Sequence, residues 1–323
     1  MTKKDLRIVY MGTPEFAVES LRALVEGGYN VVAVVTMPDK PAGRGHQVQY
    51  SAVKQYALQA GLPLLHPEKL KDPTFLEQLQ SYQADLQIVV AFRMLPEVVW
   101  AMPRLGTFNL HAALLPQYRG AAPLNWAVIN GDKETGATTF MLKHEIDTGN
   151  IILQERMPIG ENENVGSVHD RLMLLGKDLV IKTVDLIIDC DTQGIPVPTT
   201  PQPEISDLRP APKIFKETCE IRFADKTAQE VHNFVRGLSP YPAAWCNLTI
   251  HDKRYENVKV YEVQPLSDQE AAPYLSQTDN TSSPSGKDIL VPCREGYVRI
   301  LSLQLPGKKR MDAKALLNGL RNA

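Results

Sequence analysis

The sequence predicts a doubly wound, Rossmann-like α/β domain followed by a small OB-like β-barrel, on three observations. Short apolar strands alternate with helical stretches through the first half of the chain. A proline-rich run breaks the pattern near residue 200, and short alternating or aromatic runs around a single helix follow it. The length of 323 residues also fits two domains better than one hydrophobic core.

Leu6 to Met11 is an apolar run ending at Gly12, the pattern of a strand buried on both faces. Thr13 can cap the next helix and Pro14 suits its first turn, where a missing N–H costs little. Val18, Leu21, Leu24 and Val25 recur at helical spacing until Gly27 and Gly28 stop it. Asn30–Thr36, Leu86–Phe92 and Gly106–His111 predict further strands, with an amphipathic helix over Pro73–Tyr82 and a long one over Ser167–Cys190. Pro196, Pro198, Pro201, Pro203, Pro210 and Pro212 then exclude helix and favour extended chain. The predicted division is an α/β domain over 1–190, a linker over 191–207 and a barrel domain over 208–323.

In the barrel, Glu220–Ala224, Trp245–His251, Asn257–Val263, Ile289–Pro292 and Tyr297–Leu305 read as strands. Thr227 and Glu230 form a capping box ahead of the stripe Val231, Phe234, Val235 and Leu238. The polar stretch 269–287 reads as a loop.

Hydrophobic residues make up 43% and charged residues 22%, which excludes a disordered or collagen-like chain. Basic and acidic residues nearly balance at 35 and 37, but from Leu208 onward the count is 17 against 13. The back third is therefore mildly basic and the front acidic. Cys190, Cys219, Cys246 and Cys293 form no C-x-x-C pair and predict free thiols in a reducing compartment without a metal site. No run is apolar enough to span a bilayer, so a cytoplasmic location is expected.

Three places could carry chemistry. The turn at Gly12 lacks the further glycines of a dinucleotide fingerprint, and Glu15 would repel a phosphate, which argues against NAD. Asn109 and His111, two apart at the end of an apolar strand, point to one side, where such sheets hold their ligands. An amide donor beside an imidazole suits acyl transfer, the one stabilising an oxyanion and the other moving a proton near neutral pH. Asp147, in the Asp147-Thr148-Gly149 turn, could orient that histidine. Spacing alone equally allows Asn109 and His111 to do no more than satisfy hydrogen bonds at a strand end.

The set Asn109-x-His111, Leu114-Leu115-Pro116, Tyr118-Arg119-Gly120-Ala121-Ala122-Pro123 and Asp147-Thr148-Gly149 resembles the 10-formyltetrahydrofolate-dependent formyltransferases. Within that family the resemblance is nearest to those acting on methionyl-tRNA, and it runs almost end to end. It includes Met11 to Ala17, Pro38 to Gly45, Arg236 to Pro242 and Leu305 to Lys309. It implies transfer of a formyl group from the folate N10 to the α-amino group of methionine on initiator methionyl-tRNA, by a monomer that needs no metal. The family's catalytic residues fall on Asn109, His111 and Asp147. On this reading Asn109 and His111 stabilise the oxyanion, while Asp147 orients His111 and assists proton traffic.

The resemblance further implies a 10-formyltetrahydrofolate pocket lined by Ala113, Leu114, Leu115, Pro116, Phe92 and Met94. Ala113 stands where many relatives carry serine, and Phe92-Arg93-Met94 replaces a longer segment. The tRNA would be met by Lys40 and Arg44 in one loop and by Lys213, Lys308, Lys309 and Arg310 in the back third, since phosphate contacts supply most nucleic-acid affinity. The competing substrate is a UDP-linked amino sugar, which would need no basic loop. His46, His66, His144, His169, His232 and His251 have no comparable setting and read as structural or surface residues.

Overall fold

A computed structural model describes residues 1–42, 47–250, 253–275 and 288–321. The backbone divides into two compact units that interleave along the sequence. One takes residues 1–120, 135–158 and 169–210, and the other takes 121–134, 159–168 and 211–323.

The first unit is built on a seven-stranded sheet. Its strands are β1 (Ile8–Gly12), β2 (Val31–Val35), β5 (Leu64–Leu65), β6 (Leu86–Val90), β7 (Thr107–His111), β8 (Glu134–Met141) and β9 (Ile151–Pro158), with β3 (Lys40–Ala42) and β4 (Gln47–Gln49) forming a separate hairpin. The order is β5-β2-β1-β6-β7-β8-β9. Pairing is parallel from β5 to β7, and β8 runs antiparallel to β7. Every residue of β1 and β6 is buried, as expected of strands covered on both faces.

Helices α1 (Val18–Glu26), α2 (Ala52–Gln59), α3 (Pro73–Ser81) and the single turn α4 (Glu97–Trp100) connect these strands. Phe75 and Leu79 of α3 pack with Val9, Met11, Ala33, Val35 and Val89 into one core. Gly12 keeps the exit of β1 tight, because a Cβ there would lie 2.7 Å from the Cβ of Ala17 and 3.0 Å from the Val90 carbonyl. Its job is close strand-to-helix packing, in keeping with the missing phosphate fingerprint. The long helix α6 (Val165–Gln193) buries Leu172, Leu179, Val180, Thr183, Val184 and Ile187 on one stripe.

The second unit includes α5 (Pro123–Ile129) and α7 (Ala228–Leu238). Its curled antiparallel sheet is ordered β10 (Ala244–Ile250), β11 (Lys253–Leu266), β13 (Tyr297–Gln304), β12 (Ile289–Pro292), with β14 (Met311–Asp312) paired to β13. Helices α8 (Asp268–Leu275) and α9 (Ala313–Arg321) complete it. The capping box forms as predicted, and Val231, Phe234, Val235 and Leu238 enter the core with Val258, Val260, Ile300 and Leu303.

Two expectations are corrected here. Glu220–Ala224 forms no strand: Glu220 makes one bridge to Trp245, and a 3-10 turn begins at Phe223. The loop expected over 269–287 begins as the helix α8, whose first turn is capped by Ser267 donating and accepting with Glu270; residues 276–287 lie outside the described residues.

Candidate active site

The site grows from the carboxyl end of β7, where the parallel part of the sheet ends and the antiparallel part begins. Asn109 is half-buried and lies opposite Phe140, while His111 is buried and lies opposite Thr138. A buried hydrogen bond between Thr139 and Thr183, 2.8 Å long, fixes β8 to α6 behind them.

His111 is held from its Nε2 side. Nε2 lies 2.8 Å from the carbonyl oxygen of Tyr118, and a carbonyl can only accept, so this nitrogen carries hydrogen. The other ring nitrogen, Nδ1, therefore bears the lone pair in the neutral ring, and it faces the Asp147 carboxylate at 3.9 Å. Ring orientation thus comes first from the Tyr118 carbonyl, with Asp147 on the opposite side of the ring. Phe140 packs edge-on to the imidazole, with centroids 6.5 Å apart.

Asp147 sits in the β8–β9 turn with φ +55°, a left-handed conformation that few non-glycine residues adopt. The Gly120 N–H donates to its Oδ2 at 3.0 Å. Two residues on, a Cβ at Gly149 would lie 1.6 Å from the Met141 carbonyl oxygen, so the turn closes only with glycine. Tyr118, also left-handed at φ +59°, and Gly120 belong to one loop, which supplies the anchor of His111 and the donor to Asp147.

Of the residues expected to line a folate pocket, Ala113, Leu115 and Pro116 are buried and Leu114 is half-buried beside His111 in sequence. Thr138 Oγ1 donates to the Ala113 carbonyl at 2.7 Å, and the Leu115 N–H donates back to Thr138. Gln154 donates to both Thr138 Oγ1 and the Leu115 carbonyl. Thr138 and Gln154, which pattern reading passed over, thereby fix this loop. Phe92 packs partly into the core, Arg93 is tied to the carbonyls of Pro67 and Glu68, and Met94 projects into solvent at 73% exposure.

Among the residues expected to meet tRNA, Lys213, Lys308, Lys309 and Arg310 are exposed on the second unit. Lys213 lies over the exposed ring of Phe215 and Lys216 over Trp245, while Arg310 covers Tyr261 with centroid distance 4.5 Å. Lys308 also lines a surface groove of about 540 Å³ with Lys253, Arg254, Tyr255 and Glu256, and of these the sequence pattern singled out Lys308 alone. Arg44 lies outside the described residues, and of Lys40 only the backbone is described. No described helix is long and apolar enough to cross a membrane.

Comparison with known proteins bears on the chain as a whole. A family model described as formyl transferase matches residues 6–184, and one described as formyl transferase, C-terminal domain, matches residues 213–321. A methionyl-tRNA formyltransferase of Bacteroides fragilis is 61% identical over 324 residues, covering 99% of this chain and 96% of that protein. One of Bacteroides thetaiotaomicron is 59% identical over 321 residues, covering 99% and 98%. Among solved structures, an N-formyltransferase of Helicobacter canadensis in complex with folinic acid and dTDP-3-aminofucose superposes with a TM-score of 0.63 at 19% identity, covering 95% of this chain and all of that one. HypX of Aquifex aeolicus in complex with tetrahydrofolic acid superposes with a TM-score of 0.61 at 17% identity, covering 97% of this chain and 47% of that one.

Proposed function

Since the chain belongs to the formyl transferase family, we propose a division of labour among Asn109, His111 and Asp147 for the reaction that membership brings. The reaction is formylation of the methionine α-amino group on initiator methionyl-tRNA, from a folate-type donor. The donor we propose is 10-formyltetrahydrofolate. The observation that carries the assignment of residues is the approach of Asp147 to the open Nδ1 face of His111, two residues from Asn109 on the same strand.

Chemically, a C–N bond forms between the amine and the formyl carbon, the bond from that carbon to the folate nitrogen breaks, and one proton passes from the amine to the folate nitrogen. Asn109 places an amide N–H where the formyl oxygen gains charge. Its side chain has no hydrogen bond to the described residues and is free to donate. His111 has its Nε2–H committed to the Tyr118 carbonyl, so in this reading it does not join Asn109 on the oxyanion, as the resemblance implied, but takes the amine proton at Nδ1. Asp147 then faces the imidazolium so formed and stabilises it.

The residues present fit a folate. The backbone-pinned, largely buried loop Ala113–Pro116 borders the site. Met94, Val98 and Ile146 show 73%, 49% and 60% exposure, apolar surface of the kind an aromatic ligand covers. The acceptor stem is assigned to the exposed cations and aromatics of the second unit, Lys213, Lys308, Lys309 and Arg310 foremost, with Lys40 and Arg44. Such pairs of charge and ring suit a phosphate backbone and unpaired bases. The sugar formyltransferase likeness, at 19% identity, reaches the fold alone, so the UDP-amino-sugar reading is not favoured.

The test is formylation by the purified chain of methionyl initiator tRNA, methionyl elongator tRNA and a UDP-amino-sugar, side by side. The initiator alone is formylated rapidly, and Asn109→Ala lowers kcat by about 10²–10³-fold, the effect of deleting one oxyanion donor. An unchanged kcat in a folded Asn109→Ala variant removes Asn109 from the mechanism. Formylation of the sugar and neither tRNA overturns the substrate.

A further inference from the structure

We infer that Gln202 is a positioning residue for formyl transfer, its side-chain amide clasping the turn that presents Asp147 to His111. The inference rests on the reading in which Asp147 serves the reaction. Gln202 lies in the proline-rich segment, far from the motifs that mark the site in sequence. Yet its Nε2 donates to the carbonyl oxygens of Asp147 at 2.7 Å and Gly149 at 2.8 Å. Its Oε1 accepts from Arg119 twice, from Nε at 3.1 Å and Nη2 at 2.6 Å.

The amide's orientation is fixed by its partners, because a guanidinium can only donate and a backbone carbonyl can only accept. Both ends are thus used in full, and the charged donor on Oε1 polarises the amide and strengthens the bonds given by Nε2. Arg119 stands between Tyr118, whose carbonyl anchors His111, and Gly120, whose N–H holds Asp147 Oδ2. One side chain therefore ties the loop that fixes the base to the turn that carries the carboxylate. That turn holds Asp147 in the left-handed region at φ +55°, a conformation aspartate tolerates in tight turns.

The clasp is itself anchored. Pro201 and Pro203 restrict the backbone on either side of Gln202, and Thr200 exchanges two hydrogen bonds of 2.8 Å with Ile151 at the start of β9. Glutamine is the side chain that accepts from an arginine and donates to two carbonyls at this reach. Methionine keeps the shape and loses all four bonds, while glutamate keeps the arginine and turns an acceptor against the carbonyls.

The experiment measures steady-state kcat and both KM values for Gln202→Met and Gln202→Glu in the full chain, with the single-turnover rate beside them and folding checked by circular dichroism and melting. Each variant is expected to lose about 10–100-fold in kcat, with KM for the folate donor and the tRNA within about twofold of wild type. In an Asp147→Ala background, Gln202→Met is expected to add no more than about threefold, because residues acting as a unit are not additive. Wild-type kcat in a folded Gln202 variant, or a full additional loss on top of Asp147→Ala, overturns the inference while leaving Asp147's role standing. Should Gln202→Met fail to fold, Gln202→Glu decides by the same criteria. Wild-type kcat in Asp147→Ala overturns both readings together.

Discussion

At Gly149 a single missing methyl group lets the turn that carries Asp147 close. Because a Cβ would sit 1.6 Å from the Met141 carbonyl oxygen, Gly149→Ala must open the β8–β9 turn and carry Asp147 with it. The expected result is a kcat loss of about 10²-fold or more, the scale of a displacement near 1 Å, together with a lower melting temperature. A steady-state assay beside a thermal melt checks it, and wild-type values in both would mean that the turn tolerates the extra atom. Asn109 and His111 were legible in the sequence because a strand has period two and their spacing obeys it. Thr138, Gln154 and Gln202 were not. Their partners lie far away in sequence, 55 residues in the case of Gln202 and Asp147, and no local pattern encodes such a meeting.

Among the elements, α7 was the most readable, since its cap, its stripe and its stop are all local. Its Glu230 carboxylate accepts the Thr227 N–H at 2.7 Å. That bond, helped by Arg294, holds the group below the ordinary glutamate value of 4.5. A lowered folded-state pKa means that the stabilisation is present above the ordinary value and is lost as pH falls through the folded one. Glu230→Gln should therefore lower the melting temperature at pH 7, with the gap to wild type narrowing below about pH 4.5. A gap that stays constant from pH 7 to pH 3 would show that the charge contributes nothing. Thr227→Ala, which removes the other half of the box, should cost about 1 kcal/mol. By contrast β8 was silent in the sequence. Its run of threonines reads as polar, yet Thr135, Thr138 and Thr139 are buried, and the last two satisfy their hydroxyls on Ala113 and Thr183. Tertiary hydrogen bonds decided that strand, as tertiary packing decided α9, whose Leu316 and Leu317 close the second core.

Over the whole molecule, alternation of apolar strands and helices made the fold class readable, while the antiparallel additions β8 and β9 and the interleaving of the two units depend on contacts the pattern does not carry. The four thiols are an equally global property. Cys190, Cys219 and Cys246 are buried, and burial pushes Cys246 up to about 12 and the half-buried Cys293 up to about 11. Thiolate is the reactive form, so the native protein should consume an aromatic disulfide reagent slowly at pH 8 and all four equivalents at once in guanidinium. Fast reaction of Cys246 in the native state would contradict the packing of the second core. The interleaving has a separate consequence for grafting. The chain passes from one unit to the other after residues 120, 134, 158, 168 and 210. A single recombination breakpoint in the proline-rich segment would hand the second unit a foreign α5, whose Asn125 donates to the Gly237 carbonyl and whose Ile129 lies where any Cβ on Gly237 would fall. A graft that keeps the second unit's packing is therefore expected to carry residues 121–134 and 159–168 along with 211–323.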